Sequence, residues 1–369
     1  MTQVCVYTNF DALPAAYRAL FDASCQRDGF FLSWPWFHNL SRKGMEASLN
    51  LRIYGVESSE LQSHIQSETP QLKAHLALPM CFSASSHNPL QPNTLRAVAT
   101  YYSSLFGPVF TELNTEQHLH TLITFIAGEL PRWDIVDMHP LPNDTAWFLT
   151  MQQAFRQAGM AVDSYYCFGN WYLQVRQRTY QQYFDALPSK LKNTVLRKTR
   201  FLQNAGRLHL KIAATIPDVE IVTAAYMNVY KNSWKHPEPF PDFIPGWLAE
   251  SAAQGWLRLG LAYVDGKPVA AQIWLVQQGK ASIYKLAYDQ QFAHYSIGSI
   301  LTAHMMQHVI DVDRVDEVDY LTGDEIYKQD WMSDRRERWG IIAFNRASVK
   351  GRLAYYYHLA RRYAKRFHK

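Results

Sequence analysis

The segment Gly323–Trp331 (GDEIYKQDW) brings two carboxylates, a phenol and an ammonium together at Asp324, Glu325, Tyr327 and Lys328. A carboxylate can take a proton from a nucleophile, and a phenol can return one to a leaving group. A lysine ammonium acts as a point charge for a carboxylate or phosphate. A turn with a solvated acidic pair and a packed tyrosine is the plain alternative, and the residues alone leave both open. Lys285 is a charge inside an apolar run and asks for a partner, which Asp289 or Asp324 would supply. Trp234, Trp274, Tyr284 and Lys285 alternate with apolar neighbours and fit either a core or the wall of an acceptor pocket. His304 and His308 stand one helical turn apart, but no HExxH accompanies them, so they read as helix-face residues and no metal is expected. GxGxxG, GxxxxGK[ST] and GxSxG are all absent.

The 369 residues suggest two domains, and 48% hydrophobic with 14% aromatic content supports a sizeable packed core. The net charge of +5 conceals its distribution. Seven Lys or Arg and no acid fall between Ala186 and Pro217, and seven more with no acid between Lys350 and Lys369. With those set aside, 23 basic residues face 32 acids, so an acidic body carries two cationic segments. No apolar run reaches the length of a membrane span, and the N-terminus lacks the basic-then-apolar pattern of a secretory signal. Cys5, Cys25, Cys81 and Cys167 lie far apart without a CxxC pair, as free thiols in a reducing cytoplasm would.

The elements that must position these residues follow from periodicity and turn signals. In the first half, helices are expected over about Leu13–Asp28, Thr115–Glu129 and Asp144–Ala158. Strands are expected at Val4–Tyr7, Leu51–Glu57, Lys73–Phe82, Leu95–Ala99 and Trp133–His139, with the polar SSELQSHIQSETPQ as a loop. In the second half, Leu191, Val195, Leu196 and Leu202 give the first basic segment one helical face, stopped by Gly206. A helix ending near Trp234 runs into the proline-rich HPEPFPDFIPG bend. Three strands follow, Leu257–Val264, Val269–Gln277 and Ala281–Tyr288, joined at Asp265–Gly266 and at Gly279. A helix over Ile297–Val312 leads to the strand Glu317–Leu321. In the C-terminal helix, Leu353, Tyr356, Ala360, Tyr363 and Phe367 form a seam expected to dock on the body. DIVDM (Asp134–Met138) and DEVDY (Asp316–Tyr320) echo each other late in each half, which suggests a duplicated α/β unit.

The order of strands and helices in the second half, with several local motifs, resembles the GNAT acyltransferases in their CelD-like, FemAB-related branch. The motifs are Gly266–Pro268–Ala270–Ala271, Tyr288–Asp289, Ser296–Ile297–Gly298 and Gly323–Asp324–Tyr327–Lys328, preceded by a basic helix opening at Ser189–Lys190. Ile297 replaces the proline usual in that branch, and the pyrophosphate loop of typical acetyltransferases is absent. The resemblance is strong over the C-terminal half and loose over the N-terminal half.

The resemblance implies an α/β fold of two GNAT-like lobes in tandem, with mixed, mostly antiparallel sheets flanked by helices. Residues 1–165 would form a degenerate lobe, 166–349 the catalytic one and 350–369 a basic amphipathic helix. In such a core the strands equivalent to Ala281–Tyr288 and Glu317–Leu321 splay apart. The acyl donor's pantetheine arm pairs along the first of them, here through Leu286 and Ala287. The helix start at Ser296, Gly298 and Ser299 would receive a diphosphate on its free N–H groups. Tyr327 is expected as acid or oxyanion partner and Asp324 or Glu325 as base, with Lys190, Arg197, Trp234, Lys285 and Lys328 on the substrate side. The implied activity moves an acyl group, acetyl foremost, from acyl-CoA as co-substrate to an amine or hydroxyl, with no permanently bound cofactor. The acceptor would be a small or nucleotide-linked, cell-envelope or polysaccharide-related molecule. Aminoacyl transfer from aminoacyl-tRNA, or a non-catalytic module binding an anionic partner, are the alternatives. Peripheral membrane contact is a further expectation for the C-terminal helix.

Overall fold

The computed structural model describes residues 2–60, 71–83, 91–111 and 115–367, so most of the expected polar loop lies outside the described residues. The chain divides into two compact units, residues 1–167 with 337–369, and residues 168–336. Among the described residues no helix is long and apolar enough to cross a membrane.

The first unit opens with β1 (Thr2–Tyr7), α1 (Ala16–Asp28), α2 (Trp34–Lys43), β2 (Leu49–Glu60) and β3 (Gln71–Ser83). It continues through β4 (Thr94–Ala97), β5 (Val109–Phe110), α3 (Thr115–Gly128), β6 (Ile135–Pro142) and α4 (Ala146–Gln157). Strand β7 (Met160–Gln174) straddles the boundary between the units. Ser33 caps α2 by accepting the Trp36 N–H, with a proline in the first turn. This turns the WPWF aromatics inward: Trp34, Trp36 and Phe37 are buried, and Phe21 meets Trp34 edge-on at 5.3 Å. β2 runs antiparallel to β1 and β3, whereas β4 pairs in parallel with β6, Thr94–Arg96 facing Ile135–Asp137.

The second unit holds α5 (Tyr180–Asp185), α6 (Ser189–Asn204), β8 (Leu208–Ala213), α7 (Ile216–Lys231) and α8 (Phe243–Ala253). Then come β9 (Leu257–Val264), β10 (Lys267–Gln277), β11 (Lys280–Tyr288), α9 (Ile297–Gln307) and β12 (Glu317–Asp319). Its sheet runs β7-β12-β11-β10-β9-β8, with the second part of β7 at one end. The Asp265–Gly266 turn has φ of 53° and 76°, the left-handed pair that a tight hairpin requires. The echoed segments occupy equivalent places, since β11 pairs in parallel with β12 over Lys280–Ser282 and Glu317–Asp319. Even the flanking bonds match: Asp134 and Ile135 donate to the Asn93 carbonyl, and Asp316 and Glu317 donate to the Gly279 carbonyl. The duplicated α/β unit is therefore present in the backbone.

The chain closes with β13 (Asp334–Asn345) and α10 (Val349–Phe367). The second unit stops at Arg336 rather than at 349, because Arg338–Phe344 pair antiparallel with β6 of the first unit. The helix 350–369 belongs to the first unit too. Its expected docking seam is turned outward: Leu353, Tyr356 and Tyr363 are 65%, 65% and 59% exposed. Gly351 decides the face, since a Cβ there would stand 2.2 Å from the Asn345 carbonyl oxygen. Tyr355 and His358 pack on Phe344, while Asp163 accepts from His358 and Arg362 at 2.8 and 2.7 Å. The side chains of Lys365, Arg366 and Phe367, and all of Lys369, lie outside the described residues. On α6 the expected apolar face is narrower than its spacing suggests, with Val195 and Leu202 buried but Leu196 exposed. Along α9, Ile297, Leu301 and Met305 are buried; from His308 the helix widens into a π turn that leaves Val312 exposed.

Candidate active site

The site begins with a strand whose edge is left open. β10 pairs with β11 along its whole length, with Tyr284 inserted as a bulge between Ile283 and Lys285. On its other side β11 meets β12 only at Lys280–Ser282. The divergence has a structural cause. The wholly buried Asp319 accepts the Leu321 N–H at 2.7 Å and the Asn170 amide at 2.6 Å, and Leu321 adopts a left-handed φ of 57°. The chain thus turns away from β11 within two residues of the strand's end. Burial alone would raise the Asp319 pKa, but Lys280 and Arg336 hold it well below the usual carboxylate range.

From Ile283 to Tyr288 the far side of β11 therefore has no strand partner among the described residues. Backbone direction alternates along a strand, and the Asp289 N–H reaches Val269 on β10. The N–H and C=O of Leu286 and Tyr288 then face the open side, whereas those of Ala287 serve the β10 ladder. Of the two expected donor-binding positions, Leu286 turns its backbone groups to the open side and Ala287 turns them to β10.

Lys285 follows the bulge directly. Its Nζ pairs at 2.8 Å with Oε1 of Glu238, and both side chains are buried, 9% and 3% exposed. Glu238, not Asp289 or Asp324, is the partner that this lysine needs. Glu238 sits between Pro237 and Pro239 in the bend after α7, a bend tied down by the Tyr230 hydroxyl donating to the His236 carbonyl at 2.9 Å. Its second oxygen, Oε2, is buried with no hydrogen-bond partner among the described residues. Beside it opens a cavity of about 460 Å³, lined by Met227, Tyr230, Lys231, Lys235, Glu238 and Pro241 among others. Burial first, then repulsion from Lys285, lowers the Lys235 pKa to about 8. Glu238 was not picked out from sequence; its one signal is a carboxylate held between two prolines at a rigid bend.

Around the end of β11, Trp234 packs against Tyr288 at 4.5 Å, and a Cβ on Gly298 would approach the same Tyr288 ring to 3.1 Å. Gly298 thus makes room for a tyrosine at the start of α9. Ser296 is not a side-chain cap: it takes a left-handed φ of 54° and its hydroxyl caps nothing, while its carbonyl accepts the Ile300 N–H. Buried Gln272 steadies this helix start by donating to the Gly298 carbonyl and to Thr302. Trp274 is wholly buried core.

The GDEIYK segment is more tied down than its composition suggests. Asp324 is held as a fork by Arg335, at 3.0 and 2.7 Å, and also accepts the Trp171 indole N–H at 2.7 Å. With its oxygens so engaged it is a poor base and acts as the hook that fixes the loop. Lys328 is buried; its Nζ donates to the Thr322 and Gly323 carbonyls and pairs with Glu325 at 2.7 Å. It closes its own loop instead of facing a phosphate. Glu325 is exposed and Tyr327 is 44% exposed, its ring edge-on to Tyr320 at 5.8 Å. Burial and the Glu325 carboxylate raise the Tyr327 pKa, so its hydroxyl keeps its proton. Lys190 and Arg197 lie on the solvent face of α6, and no described ion pair links them to the Glu238–Lys285 pair.

Comparison with known proteins agrees with this geometry. The Acetyltransferase (GNAT) domain family model matches residues 189–329. The crystal structure of FemX superposes with a TM-score of 0.61 at 8% identity, covering 94% of this chain and 98% of that one. A conserved protein of unknown function from Bacteroides thetaiotaomicron does so with a TM-score of 0.55 at 9% identity, covering 92% of this chain and 100% of its own. At such identities the likeness is one of fold. No curated protein sequence matches this one.

Proposed function

We propose that this chain, an acyltransferase of the GNAT superfamily, moves an acyl group from acyl-CoA onto an amine or hydroxyl of a small or nucleotide-linked, cell-envelope or polysaccharide-related acceptor. The observation that carries the reading is the open side of β11 between Ile283 and Tyr288. Unpaired backbone groups at a strand edge are a template for another extended chain of amides. A pantetheine arm is such a chain, and Leu286 and Tyr288 offer it a donor and an acceptor each. The α9 start at Ile297–Ser299 then lies where unpaired helix N–H groups can receive the donor's diphosphate.

Acyl transfer to an amine needs the amine neutral and the departing thiolate protonated. An amine of lysine-like basicity is only about one part in a few thousand neutral at pH 7. Tyr327, which keeps its proton, is suited to serve the departing sulfur or the oxyanion. An aminoacyl-tRNA donor is the second reading, favoured by the exposed basic face of α6 at Lys190, Arg197 and Arg200. Thermal shift against acetyl-CoA, a longer acyl-CoA and aminoacyl-tRNA tests the donor. Stabilisation by the CoA thioesters alone supports the first reading, by charged tRNA alone the second. Stabilisation by none would leave a binding module without this chemistry.

A further inference from the structure

We infer that Glu238 is the catalytic base, and that the cavity beside it receives an acceptor carrying its amine a few atoms from an anionic group. The assignment rests on the acyl-transfer reading above. Glu238 Oε2 is a buried carboxylate oxygen with nothing to accept from, in a side chain that is 3% exposed and lines the cavity. A buried acceptor left open in a folded protein marks a place for a donor. The other oxygen is fixed by Lys285, and the chain on both sides is stiffened by proline, so Oε2 is not free to swing. Lys285 leaves β11 directly after the bulge, at the start of the open edge where the donor arm would lie. Oε2 is thereby kept next to the strand that would present the acyl group.

The cavity supplies the second half of the recognition. Glu238 gives its ion pair to Lys285, so Lys235 lines the same cavity with no described ion pair or hydrogen bond for its ammonium, which stands 6.0 and 5.8 Å from the Tyr230 and Trp234 rings, and Lys231, the last residue of α7, lines it too. One unpaired carboxylate oxygen and an ammonium without a described ion pair, in a cavity also lined by Met227, Tyr230 and Pro241, complement a zwitterion. Such a ligand puts its ammonium on Glu238 and its phosphate or carboxylate on Lys235.

Glu238 takes one proton from the acceptor's ammonium and becomes a neutral acid. The freed amine attacks the thioester carbonyl; the C–N bond forms and the C–S bond breaks. The second nitrogen proton passes to the departing sulfur, which leaves as CoA thiol, and Glu238 returns its proton to water.

The test uses the full chain with acetyl-CoA as donor. O-phosphoethanolamine, β-alanine and glucosamine 6-phosphate are the acceptor probes, with ethylamine and glucosamine as controls lacking the anion. Calorimetry reads acceptor binding without the donor, and thiol release reads turnover. The expected result is that at least one anionic amine binds and turns over better than its control. Glu238→Gln should then lower kcat about 10²- to 10⁴-fold, the usual weight of a general base, while acetyl-CoA binding is retained. Lys235→Met should raise the KM of the anionic amine about tenfold with kcat little changed. Because Glu238→Gln leaves Lys285 buried without its carboxylate, the double variant Glu238→Gln with Lys285→Met removes the pair together and should be equally inactive while folded. Turnover within threefold of the parent in either folded variant overturns the base. Binding of none of the three probes, or binding unmoved by Lys235→Met, overturns the acceptor class. Failure of acetyl-CoA to bind the parent protein would instead remove the acyl-CoA reading, and calorimetry with the amines still judges the cavity.

Discussion

The two units start from the same device and use it differently. In each, a DxVD strand forms a parallel ladder of three residue pairs, with Ile135–Asp137 on Thr94–Arg96 and Glu317–Asp319 on Lys280–Ser282. In the first unit β4 ends at Ala97, one residue past the ladder, and no open edge follows. In the second, β11 runs on to Tyr288 with one side of its backbone lacking a strand partner among the described residues. The buried carboxylates divide in the same way. Glu57 in the first unit accepts from Gln3, Cys5, Tyr7 and Tyr17, whereas Glu238 in the second has one oxygen paired and one vacant. A satisfied carboxylate holds a fold together; a vacant one beside an open strand is available for chemistry. This difference is why the proposed transfer reaction is placed in the second unit.

The sharpest break between the units should come from the echoed aspartates. Asp319→Asn removes a wholly buried charge paired with Lys280 and Arg336, and about 3–5 kcal/mol of stability should go with it. Asp137→Asn changes a single acceptor of the Tyr165 hydroxyl at 2.6 Å and should cost about 1 kcal/mol. Urea denaturation of both variants measures the gap. The sign of the pH effect follows from the depressed pKa of Asp319. Its contribution is complete above the unfolded carboxylate value and is lost progressively as pH falls from there to the lower folded value. The wild-type advantage over Asp319→Asn should accordingly persist at pH 5 and shrink below about pH 4.

Next in size is Glu57→Gln, expected to cost about 1–3 kcal/mol because three donors converge on the carboxylate within 2.9 Å. Burial raises the Glu57 pKa, but the Cys5, Tyr7 and Tyr17 hydrogen bonds outweigh it and lower it. Turnover per folded molecule should not change, in contrast with Glu238→Gln. An activity loss in Glu57→Gln without unfolding would erase the distinction between the two carboxylates. Leu286→Pro removes an N–H from the open side of β11 while sparing the β10 ladder. Acetyl-CoA should then bind about two- to tenfold more weakly, the worth of one hydrogen bond, and the melting temperature should fall as well because the Leu286 side chain packs on the core. The smallest effect belongs to the outward seam of α10. Tyr356→Ser should change stability by under about 0.5 kcal/mol by chemical denaturation, since that side chain is 65% exposed.

Much of this architecture is legible in the chain. The meander β9–β10–β11 is announced by Asp265–Gly266 and by apolar alternation, and the duplicated unit by five-residue echoes that the backbone places in register. Elements that depend on distant partners are not. β13 begins with DRRER, and its strand character comes from pairing with β6. The α8 helix begins inside the segment expected to be a proline-rich bend: Phe243–Gly246, the last four residues of HPEPFPDFIPG, form its first turn, and the prolines mask its buried face around Phe243, Ile244, Trp247 and Leu248. For α10 the spacing of Leu353, Tyr356 and Tyr363 is helical, but a glycine contact and an aspartate on β7 choose the buried face. In the site, the types of Asp324, Tyr327 and Lys328 are visible in sequence, while their states are not. Arg335 and Trp171 engage Asp324, and backbone carbonyls of its own loop engage Lys328. Glu238 escapes notice because its meaning lies in an oxygen left unpaired, which only packing reveals.

Hydrogen exchange read by mass spectrometry, with and without acetyl-CoA, addresses both units in one experiment. Binding along the open edge predicts slowed exchange in peptides spanning 283–288 and 296–299, and no change over 94–99. Protection over 94–99, or acetyl-CoA binding that leaves 283–288 unchanged, would contradict the assignment of the donor site to the second unit.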